Sequence, residues 1–152
     1  MGGRGASKGI PSGWKQHEIT YKSENGMVIT EKGRIDQANK SKNEMEKYQK
    51  EFEMCKDLAD YGHDIIHLDD KKLSDGSYDI LFDGVKADLK AVTSSNHIVK
   101  YGKKAIRDQG AEKVIFRINK YNSQYAEEFR TLQSKGIHGY YYVQGENGLK
   151  EF

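Results

Sequence analysis

The chain has 152 residues, room for one catalytic-sized domain with a real core, and combines 36% hydrophobic with 32% charged residues at a net charge of only +2. Its single cysteine, Cys55, excludes an intramolecular disulfide and every cysteine-based zinc cluster. No apolar run is long enough to cross a membrane, and the amino terminus carries no apolar signal region, so the chain reads as soluble.

Charge is spread unevenly. Residues 1–42 carry 8 basic and 4 acidic groups, residues 43–89 carry 6 and 13, and residues 90–152 carry 11 and 6. An acidic island between basic flanks suits a polyanion gripped around a carboxylate cluster, and it equally suits an ordinary solvated surface.

Residues 1–13, rich in Gly and Ser and holding the one proline, read as a flexible linker. Between Trp14 and Arg34, the alternating stretches EITYKS and MVITEKG, split by Asn25-Gly26, predict a short peripheral hairpin. Residues 1–40 are therefore expected to be a tail with a hairpin, and residues 41–152 the functional domain. Trp14 and Tyr21 suit base stacking or, more simply, anchoring of the tail.

A helix is predicted from Ser41 to Tyr61, ended by Gly62, with Met45, Tyr48, Phe52, Cys55, Leu58 and Ala59 as its buried stripe. At 100° per residue Glu51 falls on the edge of that stripe, and Glu44, two turns earlier, is the rival inward carboxylate. Asp64 to Leu68 reads as a strand. His63 and His67 are four apart, but Gly62 has ended the helix and no HExxH pattern is present, so they read as surface histidines on a strand.

The stretch YDILFDGVKADLK, Tyr78 to Lys90, predicts a tight hairpin, because a type I′ turn needs positive φ at both central residues and Asp83-Gly84 supplies it. With that loop, Asp79 falls opposite Asp88 and Lys90 joins their face, while Ile80, Phe82, Val85, Ala87, Leu89 and Ala91 point to the core. Opposed like charges destabilise a sheet, and a hard divalent cation held between the two carboxylates would remove the repulsion.

After the hairpin, Thr93-Ser94-Ser95-Asn96 can cap a helix from His97 to Gln109. Ile98, Gly102, Ala105, Ile106 and Gln109 form one face, and Lys100, Lys103, Lys104 and Arg107 form a basic stripe suited to a phosphate backbone or to solvent. A strand at Val114 to Ile118, a helix at Ser123 to Lys135 and a tyrosine-rich strand at Ile137 to Gln144 complete an α/β order with a sheet covered on both sides. Tyr140, Tyr141 and Tyr142 read as sheet packing rather than a stacking platform.

Asp79, followed by the triplet Asp88-Leu89-Lys90 on the next strand, resembles the PD-(D/E)xK nuclease superfamily. The run EFEMCKDLADYGHDIIHL resembles the first helix and strand of that fold, and more narrowly the tRNase domains at the carboxy terminus of contact-dependent growth inhibition toxins. The resemblance covers about Ser41 to Gln144 and departs from the pattern in having D-x-K instead of E-x-K and no proline before Asp79. It implies a restriction-endonuclease-like α/β core and a metal-dependent phosphodiesterase with Glu51, Asp79, Asp88, Lys90 and Gln109 as its catalytic set. Asp79, Asp88, the Leu89 carbonyl and Glu51 would hold Mg²⁺, or else Mn²⁺ or Zn²⁺, and Lys100, Lys103, Lys104 and Arg107 would contact nucleic acid.

The implied substrate is tRNA, cut in the cytoplasm of a target bacterium, with a cognate immunity protein protecting the producer. GGRGASKG resembles the join at which such a module is appended to a larger delivered protein. Three readings stand beside this one: a DNA endonuclease of a phage or mobile element, a metal-free ribonuclease using His17, His97 or His138, and a non-catalytic nucleic-acid-binding module.

Overall fold

A computed structural model describes residues 17–146 and 148–152. The expected linker at residues 1–13 and Trp14 lie outside the described residues. The described residues form a mixed α/β fold with eight strands and four α-helices, and the chain divides into two compact units. One contains the residues up to Ser74 together with Asp79–Val85, and the other contains Asp75–Tyr78 and Lys86–Phe152.

The first unit runs β1 (His17–Lys22), β2 (Met27–Glu31), α1 (Lys32–Ala38), α2 (Lys42–Asp60), β3 (Asp64–His67) and β4 (Ile80–Phe82). β1 pairs antiparallel with β2, β2 parallel with β3, and β3 antiparallel with β4. Parallel neighbours covered on both faces read as continuous apolar runs, which is the character of Met27-Val28-Ile29 and Ile65-Ile66, all buried. The hairpin expected to be peripheral therefore supplies an inner strand of this unit.

α2 begins where the sequence predicts. The Ser41 hydroxyl accepts the Glu44 backbone N–H at 3.1 Å, and Met54, Cys55, Leu58 and Ala59 turn into the core. α1 was not expected, since Gly33 sits in its first turn and no side chain caps its start.

Asp83 has φ 47° and Gly84 φ 88°, the paired left-handed conformation of a type I′ turn. Asp83 also ties that turn to the start of β3. Its Oδ1 accepts the Asp64 N–H at 2.8 Å, and its Oδ2 takes a hydrogen bond from His63 Nδ1 at 2.7 Å.

The second unit contains β5 (Val85–Ala91) from Lys86 onward, α3 (Ile98–Lys103), β6 (Lys113–Ile118), α4 (Ser123–Ser134), β7 (Gly139–Val143) and the short β8 (Lys150–Glu151). β5, β6 and β7 are mutually parallel in that order, and β8 closes antiparallel on β7. Val114, Phe116 and Ile118 of β6 pack with Ile98, Ala105, Phe129, Leu132 and the carboxy-terminal Phe152 in one buried cluster. Phe129 lies 5.8 Å from Phe116 and 4.7 Å from Phe152, ring centre to ring centre.

The register places Asp88 beside Val114 and Lys90 beside Phe116, so the polar pair leaves the same face of the strands as the residues packing against α3 and α4. Among the described residues, no helix is long and apolar enough to cross a membrane.

α3 and α4 approach through Gly102, where a Cβ would lie 2.7 Å and 2.8 Å from the two methyl carbons of Leu132, which is itself fully buried. Gly102→Ala should therefore cost about 1–3 kcal/mol by overpacking, despite the roughly 1 kcal/mol that alanine gains in a helix interior. Urea unfolding of Gly102→Ala, Leu132→Ala and the double variant checks this. The double variant should be more stable than the two single losses sum to, and strict additivity would refute the contact.

Candidate functional site

Among the described residues, the candidate site residues fall into two polar clusters, one in each unit. In the first, α1 delivers Arg34, α2 delivers Glu51 and β3 delivers His67. Arg34 Nε and Nη2 donate to Glu51 Oε1 at 3.3 Å and 3.2 Å. His67 Nε2 lies 2.8 Å from the same oxygen, and because a carboxylate only accepts, that nitrogen carries the proton.

His67 is wholly buried at 0% exposure and Arg34 nearly so at 4%, which corrects the surface-histidine reading of position 67. Tyr48 backs both: its ring stacks on His67 at 5.3 Å, and the Arg34 guanidinium lies over it at 5.3 Å. Burial raises the Glu51 carboxyl, but the His67 bond and charge, together with Arg34, outweigh it and hold the group below its ordinary value.

Glu51 is thus the inward carboxylate of α2. Its rival Glu44 accepts from Gln37 at 2.7 Å, and that bond, with smaller help from Lys47 and Lys71, holds it down to about 2. Both Glu51 and Asp79 act electrostatically on Cys55, whose thiol is pushed well up by burial first and then by these two carboxylates. Such a thiol is inert as a nucleophile. Asp79 is 8% exposed, and its backbone carbonyl accepts from the Leu68 N–H at 3.0 Å.

In the second unit, β5 brings Asp88 and Lys90 to one face, and the segment that follows α3 brings Gln109 to Lys90. Lys90 Nζ lies 2.8 Å from Asp88 Oδ2 and donates to Gln109 Oε1 at 2.9 Å. Asp88 is fully buried, and neither of its carboxylate oxygens has a hydrogen bond of good geometry, so the Lys90 contact is a charge contact only. Lys90 also sits 5.9 Å from the centre of the Tyr101 ring, on the same helix.

Beyond Lys103 the helix widens into a π turn over Lys104–Asp108, closed by the Gln109 N–H donating to the Lys104 carbonyl at 3.0 Å. Such turns are rare and recur at functional sites. Lys100, Lys103, Lys104 and Arg107, with Val99 and Asp108, line a hollow of about 480 Å³. The basic stripe expected from the sequence is thus one concave surface. Of the other titratable candidates, His97 is exposed and stacked on Tyr101 at 5.3 Å, and His138 is exposed.

The residues expected to act together are distributed as follows. Lys90 meets both Asp88 and Gln109, Glu51 is bonded to Arg34 and His67, and Asp79 belongs to the first unit with Glu51. Arg34 and His67 were missed as members of a polar cluster. The helical position of Arg34 had no cap signal to reveal it, and the sequence around His67 reads as an ordinary short strand.

A hard cation of the Mg²⁺ kind fits the Asp88 position in its chemistry, because a buried carboxylate without hydrogen bonds is costly and Mg²⁺ binds through one or two carboxylates while keeping several waters. Among the described residues, no group of three or more His, Cys, Asp or Glu side chains stands close enough to hold a metal.

The Glu51 cluster supports a stability prediction. A carboxyl held below its ordinary value contributes stability that is complete above the unfolded pKa of about 4.3 and is lost as pH falls through the folded value. Glu31 and Asp70, both raised chiefly by burial, act in the opposite sense. Glu51→Gln, which leaves Arg34 buried without its partner, should cost about 3 kcal/mol at pH 7. Urea unfolding at pH 7 and pH 3 tests the assignment: the gap from wild type should shrink at pH 3, and an equal gap at both would contradict it.

The chain matches no protein-family model, and comparison with curated proteins and with solved structures likewise finds no match.

Proposed function

We propose that the chain is a metal-assisted phosphodiesterase acting on nucleic acid, with RNA, and tRNA in particular, as its substrate. The observation that carries this reading is the Lys90 amine held between a buried, hydrogen-bond-poor Asp88 and the Gln109 side-chain carbonyl. The basic hollow on the same helix supports a polyanionic substrate. The sequence resemblance supports the choice of RNA and the existence of an immunity protein that blocks the site.

Asp88 and the Leu89 carbonyl are the groups of β5 that would hold the cation. Bound there, a divalent ion supplies polarisation of the phosphate and a water of lowered pKa. The chain's own residues do the rest. Lys90 orients the attacking water and offsets the negative charge that grows on the phosphate oxygens, and Gln109 holds the Lys90 amine in place. Lys100, Lys103, Lys104 and Arg107 bind the flanking backbone. Asp79 enters as a second carboxylate on the sequence reading alone. Glu51, with one oxygen committed to Arg34 and His67, is assigned an orienting role within its own cluster rather than that of a free ligand.

Incubation of purified protein with total RNA and with plasmid DNA, in Mg²⁺ and in EDTA, tests the reading. Asp88→Asn and Lys90→Met should each lower RNA cleavage by about 10²–10⁴-fold with circular dichroism unchanged, and EDTA should abolish it. Wild-type cleavage by either variant, or full activity in EDTA, refutes the scheme, and DNA nicking without RNA loss refutes the substrate. Asp79→Asn on the same gel decides whether that carboxylate takes part.

A further inference from the structure

Beside the Lys90–Gln109 contact lies a short segment that the proposed reaction does not use. The loop Asp75–Tyr78 belongs to the second unit although it is separated in sequence from the rest of it. It touches the chain around Gln109 backbone to backbone. The Ser77 N–H donates to the Gln109 carbonyl at 2.9 Å.

A Cβ on Gly76 would overlap that same carbonyl oxygen, and a Cβ on Gly110 would lie 2.6 Å from the Asp75 carbonyl oxygen. Two glycines, one on each segment, are therefore what allow this approach. The loop is also fixed at its other end. Asp75 Oδ2 takes a hydrogen bond from Lys86 Nζ at 2.6 Å, its Oδ1 takes one from Tyr78 at 2.9 Å, and the Lys86 amine lies over the Tyr78 ring at 5.8 Å.

Lys86 is on β5, four residues before Lys90, and its carbonyl accepts the Glu112 N–H at 2.9 Å. The turn that carries Gln109 is thus held to β5 on both sides, directly through Glu112 and indirectly through the loop. A π turn needs such support, because its wide hydrogen-bond ring is poorer than that of an α-helix. An exposed ion pair such as Asp75–Lys86 adds little stability in itself, so its consequence is where it places the loop.

We infer that the Asp75–Tyr78 loop is a clasp that sets the position of Gln109 against Lys90, with Gly76, Asp75 and Lys86 as positioning residues for the reaction proposed above. The inference rests on that reading for its catalytic meaning but not for its geometry. The Lys86–Asp75 pair holds the loop, the loop holds the Gln109 backbone, and the Gln109 side chain holds the Lys90 amine.

Two measurements separate the clasp from the nuclease reading. In ¹⁵N spectra of the whole chain, the Gln109 side-chain amide, assigned by its loss in Gln109→Ala, should move toward the position of a free glutamine in Gly76→Ala and in Lys86→Met. Lys86→Arg should restore it. Where the wild type cleaves RNA, each of Gly76→Ala and Lys86→Met should lower kcat by about tenfold with KM within twofold, and neither should have any further effect in a Gln109→Ala background. An unmoved Gln109 amide in Lys86→Met, or losses that simply multiply with Gln109→Ala, overturns the clasp. A wild type that cleaves nothing removes the nuclease reading alone, since the spectra still decide the clasp.

Discussion

The buried carboxylate of Asp88 is the constraint around which the second unit is arranged. A charge at 0% exposure is expensive unless it is paired and hydrogen-bonded, and here the Lys90 amine, two residues along the same strand, stands 2.8 Å from it. Residues i and i+2 on a strand share a face, so the pair costs no backbone distortion. Nor does it satisfy the remaining lone pairs. A hydrophobic pair at these positions would pack with Val114 and Phe116, their register partners, without any desolvation penalty. That cost is the physical ground for the role proposed for the pair above.

The cluster in the first unit shows the contrast. Glu51 receives hydrogen bonds from two nitrogens of Arg34 and one of His67, and its carboxyl is held below the ordinary range despite burial. It resembles a structural network in which charge and bonds are concentrated on one oxygen. By the same physical measure Asp88 is bonded poorly. Two acids that look equivalent in a motif are thus separated by how many donors the fold provides to each.

Much of this was legible in the residues. Asp83-Gly84 announced its turn because few other pairs tolerate positive φ at both positions, and Gly62 announced the end of α2. The basic stripe was readable from helical spacing alone. What could not be read had no local signature. α1 forms without a side-chain cap and with glycine in its first turn, so Arg34 looked like part of a strand end. The π turn depends on a carbonyl five residues back and on support from elsewhere in the unit, neither of which composition reports. β8 is two residues long and is held in place through Phe152, whose ring finds Phe116 and Phe129 only in the folded chain.

The basic hollow has a simpler rival explanation. Cations near a helix carboxy terminus are favoured by the dipole, and Lys100 and Lys103 stand in the last turn of α3 and Arg107 in the last turn of the π segment that follows. That effect falls off within the last turn. It does not favour gathering four cations in one concavity where Asp108 is the single acid lining it. Neighbouring like charges repel on a helix surface, by a few tenths of a kcal/mol per pair in exposed positions. The helix that presents this surface also presents Tyr101 and Gln109 to Lys90, so a phosphate backbone drawn to the hollow would be held by the same element that orients the lysine. The dipole accounts for three of the four cations and leaves Lys104, which the polyanionic ligand proposed above would engage.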